Sequence, residues 1–150
     1  MREQPISSEI SSGVLIGGIT AAATTGALLA MGRRQGSASL PFAAIGAAFS
    51  HETTSAVAAN LVLGGLVLHV IAMLVWSILF VWLTTRLDSD IFAAVVVTVV
   101  AFAFSILVTL WRGAGLVSVL PVGDLLVLAL VLAGSLVVGM RFAFSTLRKS

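Results

Sequence analysis

The stretch from Ala56 to Thr85 constrains this chain more than any other: thirty consecutive residues without a formal charge. Its only strongly polar members are Asn60 and His69, and Glu52 and Arg86 bound it. As a helix it is roughly 45 Å long at about 1.5 Å per residue. The hydrocarbon layer of a bilayer needs only roughly 30 Å. The expected element is therefore a membrane-spanning helix that tilts or protrudes, with His69 near its midpoint.

Composition extends this to the whole chain. Charged residues make up 9% of the 150 residues and hydrophobic ones 59%, against roughly 25% charged in an average soluble domain. Eight basic and six acidic side chains are too few to clothe a water-soluble fold of this size, so lipid must be the solvent for most of it. Basic residues are scattered singly or in pairs, with no basic stripe carrying interleaved aromatics, which excludes a nucleic-acid surface. No cysteine is present, and with it go disulfides, thiolate nucleophiles, iron–sulfur clusters and thiolate metal sites.

Three further segments have spanning length: 13–32, 91–111 and 124–143, with the central one at 56–85. The first is followed by Arg33 and Arg34 instead of being preceded by a basic pair, as a leader segment would be. Residues 1–12 are polar, and Ser11 or Ser12 is the expected N-cap. The run from 91 to 111 is rich in β-branched residues, yet inside lipid every backbone group must be satisfied within the segment, which decides for helix. Residues 40–50 are apolar but too short to span, so they suit an interfacial or re-entrant helix, with Pro41 placed in its first turn. The fold class expected is all-α: an integral membrane four-helix bundle in one domain, with a short helix between the first and second spans. Residues 112–123 read as a loop, and Arg86 to Asp90 as the tight turn of a hairpin. Trp76, Phe80 and Trp82 suit a headgroup belt.

Four spans put both termini on one side. That side carries Arg2, Arg86, Arg141, Arg148 and Lys149, against Arg33, Arg34 and Arg112 on the other. The positive-inside rule then favours cytoplasmic termini, in what is expected to be a bacterial inner membrane.

In the first span, Gly18, Ala22, Gly26 and Ala30 recur every four residues and so share a helical face. Small residues at that spacing let another backbone approach closely within lipid. Two occupants suit the face: another helix of the same bundle, or a different protein chain.

His69 is the ionisable residue at bilayer depth, a costly position that marks a paired or functional group. One role is structural, a hydrogen bond to a carbonyl or to a Ser or Thr of a neighbouring helix. A second is axial ligation of a haem or chlorophyll-type pigment. Gly65, four residues earlier on the same face, would leave room for a flat macrocycle, and this spacing resembles that of antenna-type pigment helices. A third is proton relay, for which no partners are visible. His51 lies eighteen residues before His69, about 27 Å along a helix, too far for a pair of ligands to one haem.

The acids Glu3, Glu9, Glu52, Asp88, Asp90 and Asp124 are all terminal or in loops, so no convergent metal or acid–base set is expected. Ser–His–acid spacing and a glycine-rich phosphate loop are likewise missing. Asp124 suits a helix N-terminus, where negative charge is favoured, Asn60 a polar packing contact, and Thr98, Ser105 and Thr109 offer little as a channel lining. The function expected is a non-enzymatic accessory subunit packed laterally on other integral membrane subunits and lipid, a respiratory or photosynthetic complex being the anticipated setting. The alternatives are a pigment-binding protein using His69 and Gly65, and a small homo-oligomeric transporter.

Overall fold

The computed structural model of the chain describes residues 6–50, 58–87 and 89–147, with side chains between 10 and 143. The described residues form six helices and no strands: α1 (Ile6–Arg34), α2 (Leu40–Ser50), α3 (Ala59–Leu87), α4 (Asp90–Arg112), α5 (Leu116–Val119) and α6 (Val122–Leu147). Four of them, α1, α3, α4 and α6, are long and apolar enough to cross a membrane, and α2 is the short apolar helix between the first two. His51, Glu52 and the rest of 51–57, Asp88, and the terminal Arg2, Glu3, Arg148 and Lys149 lie outside the described residues.

The four long helices form an up-and-down ring. α1 packs between α3 and α6, and α4 meets the same two from the opposite side. Directions follow from paired positions: Gly13 faces Ile78 while Thr24 meets His69, and Gly139 faces Ile16 while Arg34 pairs with Asp124. Arg33, Arg34 and Arg112 therefore sit at one end of the bundle, Arg86 and Arg141 at the other. Outward faces carry large apolar side chains such as Leu63, Leu107, Leu110 and Leu130, the surface a lipid solvent accepts at no cost.

Three packed clusters fill the interior among the described residues, one of them the seam of Ala43, Ala47, Ala48 and Leu61 with Ala114, the other two stacked as layers along the bundle. Ile16, Phe80, Val97, Leu136 and Met140 knit all four long helices near the chain termini. At the other end Leu28, Met31, Phe42, Leu120 and Leu128 form a second layer. Phe80 is fully buried there instead of lying in a headgroup belt. Trp82 does face outward, and the Arg86 guanidinium lies 5.0 Å over its ring.

Several boundaries differ from sequence expectation. α1 starts at Ile6, so Ser11 and Ser12 lie inside the helix and cap nothing. Serine costs a helix only tenths of a kcal/mol, which cannot stop one that has a long apolar run to continue into. Within the expected loop 112–123, Gly113 adopts φ +68 and its N–H closes α4 on Thr109 O at 2.8 Å, and α5 adds a single turn. The hairpin between α3 and α4 is as expected, with Ser89 Oγ accepting the Phe92 N–H at 3.3 Å to cap α4. Asn60 is exposed instead of packed.

α2 is not laid on the surface. Seven of its eleven residues are buried, and it crosses α3 backbone to backbone where Phe42 and Gly46 meet Leu61 and Gly65. Arg112 Nε donates to Ala48 O at 2.8 Å, satisfying a carbonyl that the end of α2 would leave orphaned.

Candidate intramembrane cavity at His69

The site begins with the way α1 and α3 approach. A Cβ on Gly13 or Gly17 would lie 3.1 Å from the Cα of Ile78 or Leu74, so these two glycines set the distance between the helices. One and two turns further along the same face come Thr20 and Thr24, both buried. This brings Thr24 Oγ1 to 2.9 Å from His69 Nε2.

The proton on this contact can be assigned by counting. Thr24 has one hydroxyl proton, for which the Thr20 carbonyl at 2.8 Å and the ring nitrogen at 2.9 Å compete, and it is assigned to the usual helical back-bond. The Thr24 oxygen is then an acceptor toward the ring, and His69 donates through Nε2–H. That leaves Nδ1 as an acceptor, and it has no hydrogen-bond partner among the described residues. The edge of Phe42 stands against the imidazole, ring centres 5.8 Å apart at 75°. His69 is only 5% exposed, so its structural role, a hydrogen bond to a threonine of a neighbouring helix, is the one the geometry displays.

Gly65 does not serve as room for a macrocycle. A Cβ there would collide with the Phe42 carbonyl and come within 2.9 Å of Gly46 N. The space expected to be open is filled by α2. Its sequence, LPFAAIGAAF, gave no sign of which helix it would press against.

His69 instead lines a cavity of about 430 Å³ between the two packed layers. From His69 it runs along α3 past Ala72 to Trp76, roughly 10 Å for seven residues, with Ala101, Phe104 and Ser105 of α4 opposite, and in the other direction it reaches Ile45 and Ala48 of α2 and Leu116 of α5. Trp76 and Phe104 meet edge to face across it at 6.1 Å. Ile71, Val75 and Phe104 line the cavity and are also exposed on the outer surface, so it opens sideways between α3 and α4. Polar lining is sparse. Besides His69 and Thr24 there is Ser105, whose hydroxyl donates to Ala101 O at 3.0 Å. Thr109 likewise bonds within its own helix, to Ser105 O, while the Thr98 hydroxyl is buried without a partner. The three form no polar file along α4.

The other sequence candidates fall elsewhere. Gly18, Ala22, Gly26 and Ala30 are all exposed on the outer side of α1, and a Cβ on Gly18 or Gly26 would meet nothing within 4 Å. The stripe used inside the bundle is Gly13, Gly17 and Ala21, one residue out of phase. Asp124 sits in the first turn of α6 and accepts from Arg34 Nη2 at 2.6 Å. No group of three or more metal-ligating side chains occurs among the described residues. Sequence reasoning missed Thr24 and Phe42. For Thr24 a signal existed, since Gly13, Gly17, Thr20 and Thr24 recur with helical period and mark one face. Compared with family models, curated proteins and solved structures, the chain matches none of them.

Proposed function

We propose that this chain is a non-enzymatic membrane subunit that docks laterally onto a larger membrane assembly through the outer face of α1. The observation that carries this is the pair of small-residue stripes on one helix. Gly13 and Gly17 are consumed inside the bundle, whereas Gly18, Ala22, Gly26 and Ala30 lie open over roughly 18 Å of outer surface. Lipid gains nothing from glycine on a helix surface, and each glycine costs about 1 kcal/mol of helix propensity relative to alanine. A second helix gains van der Waals contact there, which is the main source of association energy within a bilayer. The partner this face fits is another apolar helix with small residues at matching spacing.

The experiment is native-gel migration of the tagged chain extracted from its own membrane in mild detergent, with a Gly18→Leu/Gly26→Leu variant. Wild type is expected in a large assembly and the variant at the size of the lone chain, with equal thermal stability once purified. A wild type that migrates alone overturns the proposal. A large species reconstituted from the purified chain by itself assigns the face to self-association instead.

A further inference from the structure

The cavity beside His69 is a second site, independent of lateral docking. We infer that it binds a slender apolar alcohol or phenol, whose hydroxyl donates to His69 Nδ1 and whose body lies along α3 toward Trp76.

Four observations define the ligand. The volume, about 430 Å³, falls within the range of roughly 300–1,000 Å³ of small-molecule sites. The walls are aliphatic and aromatic, so the body of the ligand is apolar. Among the buried side chains that line the cavity, His69 has a second ring nitrogen with no partner among the described residues, and with the Nε2 proton placed on the Thr24 contact that atom accepts. A ligand that donates is therefore favoured over one that only accepts, and a buried acceptor left unpaired is costly. Lastly, the opening between α3 and α4 faces the lipid side, so the ligand enters by partitioning into the bilayer first. An aromatic hydroxyl gains additional contact from Trp76 and Phe104, whose ring edges and faces border the path.

A flat macrocycle ligated by His69 fits the same cavity less well. Nε2 is engaged by Thr24 and the Gly65 side is sealed by α2, so the approach left is an edgewise one to Nδ1.

The test uses the full chain in nanodiscs, with Trp82→Phe and Trp111→Phe leaving Trp76 as the sole indole. The probes are para-nonylphenol and its methyl ether, which differ only in the donor proton, with empty nanodiscs correcting for partition. The phenol is expected to change Trp76 emission saturably at one per chain, and the ether to bind about tenfold more weakly, the worth of one hydrogen bond in an apolar site. His69→Leu is expected to erase that preference. Ala72→Phe, which fills the cavity while leaving the His69–Thr24 bond intact, is expected to abolish binding of both probes and covers the case in which His69→Leu does not fold. Equal affinity for phenol and ether, an unsaturable response, or a preference that survives His69→Leu overturns the inference. So does a Soret or pigment band in the purified protein that disappears with His69→Leu, which would give the site to a tetrapyrrole.

Discussion

Gly64 and Gly65 are neighbours in sequence and opposites in structure, and substituting each by alanine isolates what the crossing of α2 over α3 contributes. At Gly65 the new methyl would overlap the Phe42 carbonyl and crowd Gly46 N. Both obstacles are backbone, so neither can swing aside as a side-chain tip could. Overpacking a tight interior costs about 1–3 kcal/mol, and an unyielding backbone on both sides puts this case at the upper end. Alanine returns about 0.5–1 kcal/mol of helix propensity, leaving a net loss of about 2 kcal/mol. With about 2–4 °C per kcal/mol for a chain of this size, Gly65→Ala is expected to lower Tm by about 4–8 °C. At Gly64 a methyl meets nothing within 4 Å, so only the propensity term acts, and Gly64→Ala is expected to be neutral or a few degrees more stable. Intrinsic tryptophan fluorescence during heating in one detergent measures both. Equal Tm values for the two variants, or a lower one for Gly64→Ala, would refute the close crossing. Gly46→Ala probes the same seam from the α2 side, because its methyl would strike the Leu61 carbonyl. Since either methyl alone forces the helices apart, the double variant is expected to cost less than the sum of the two.

Thr24→Val removes the acceptor of the His69 proton and is expected to destabilise by about 1–3 kcal/mol. Thr20→Val removes a buried hydroxyl that has no partner and is expected to be neutral or stabilising; chemical unfolding of the two side by side decides it. Arg34→Ala is expected to cost no more than about 1 kcal/mol and to lose even that in high salt, because the Arg34 side chain is 61% exposed although Asp124 is only 13% exposed. Gly113→Ala places a Cβ at φ +68 and is expected to cost about 1 kcal/mol, visible as a lowered Tm.

The type and number of the spanning helices were legible in the sequence for a simple reason. Runs such as 91–111 are long, uncharged and flanked by Asp90 and Arg112, and length with charge placement is all a bilayer requires. Which face turns inward was not legible. In water, polarity separates the two sides of a helix, but here Leu107 and Leu110 face outward while Leu132 and Leu136 face inward, so leucine carries no directional information. The glycines of α1 show the consequence. Gly18 and Gly17 differ by one residue and about 100° of rotation, both begin a small-residue ladder, and only the packed structure distinguishes them. The partners of His69 were hidden similarly, since Thr24 lies 45 positions away and Phe42 belongs to a helix whose every face is apolar. By contrast, Asp124 at the start of a span already pointed to a helix N-terminus.

α2 and α5 both sit at the Arg34–Arg112 end, α2 locked against the end of α4 by the Arg112–Ala48 hydrogen bond. No matching helices thicken the opposite end among the described residues. The buried backbone of α2 can end inside the bundle, because a guanidinium from α4 does for its carbonyl what water would do outside a membrane.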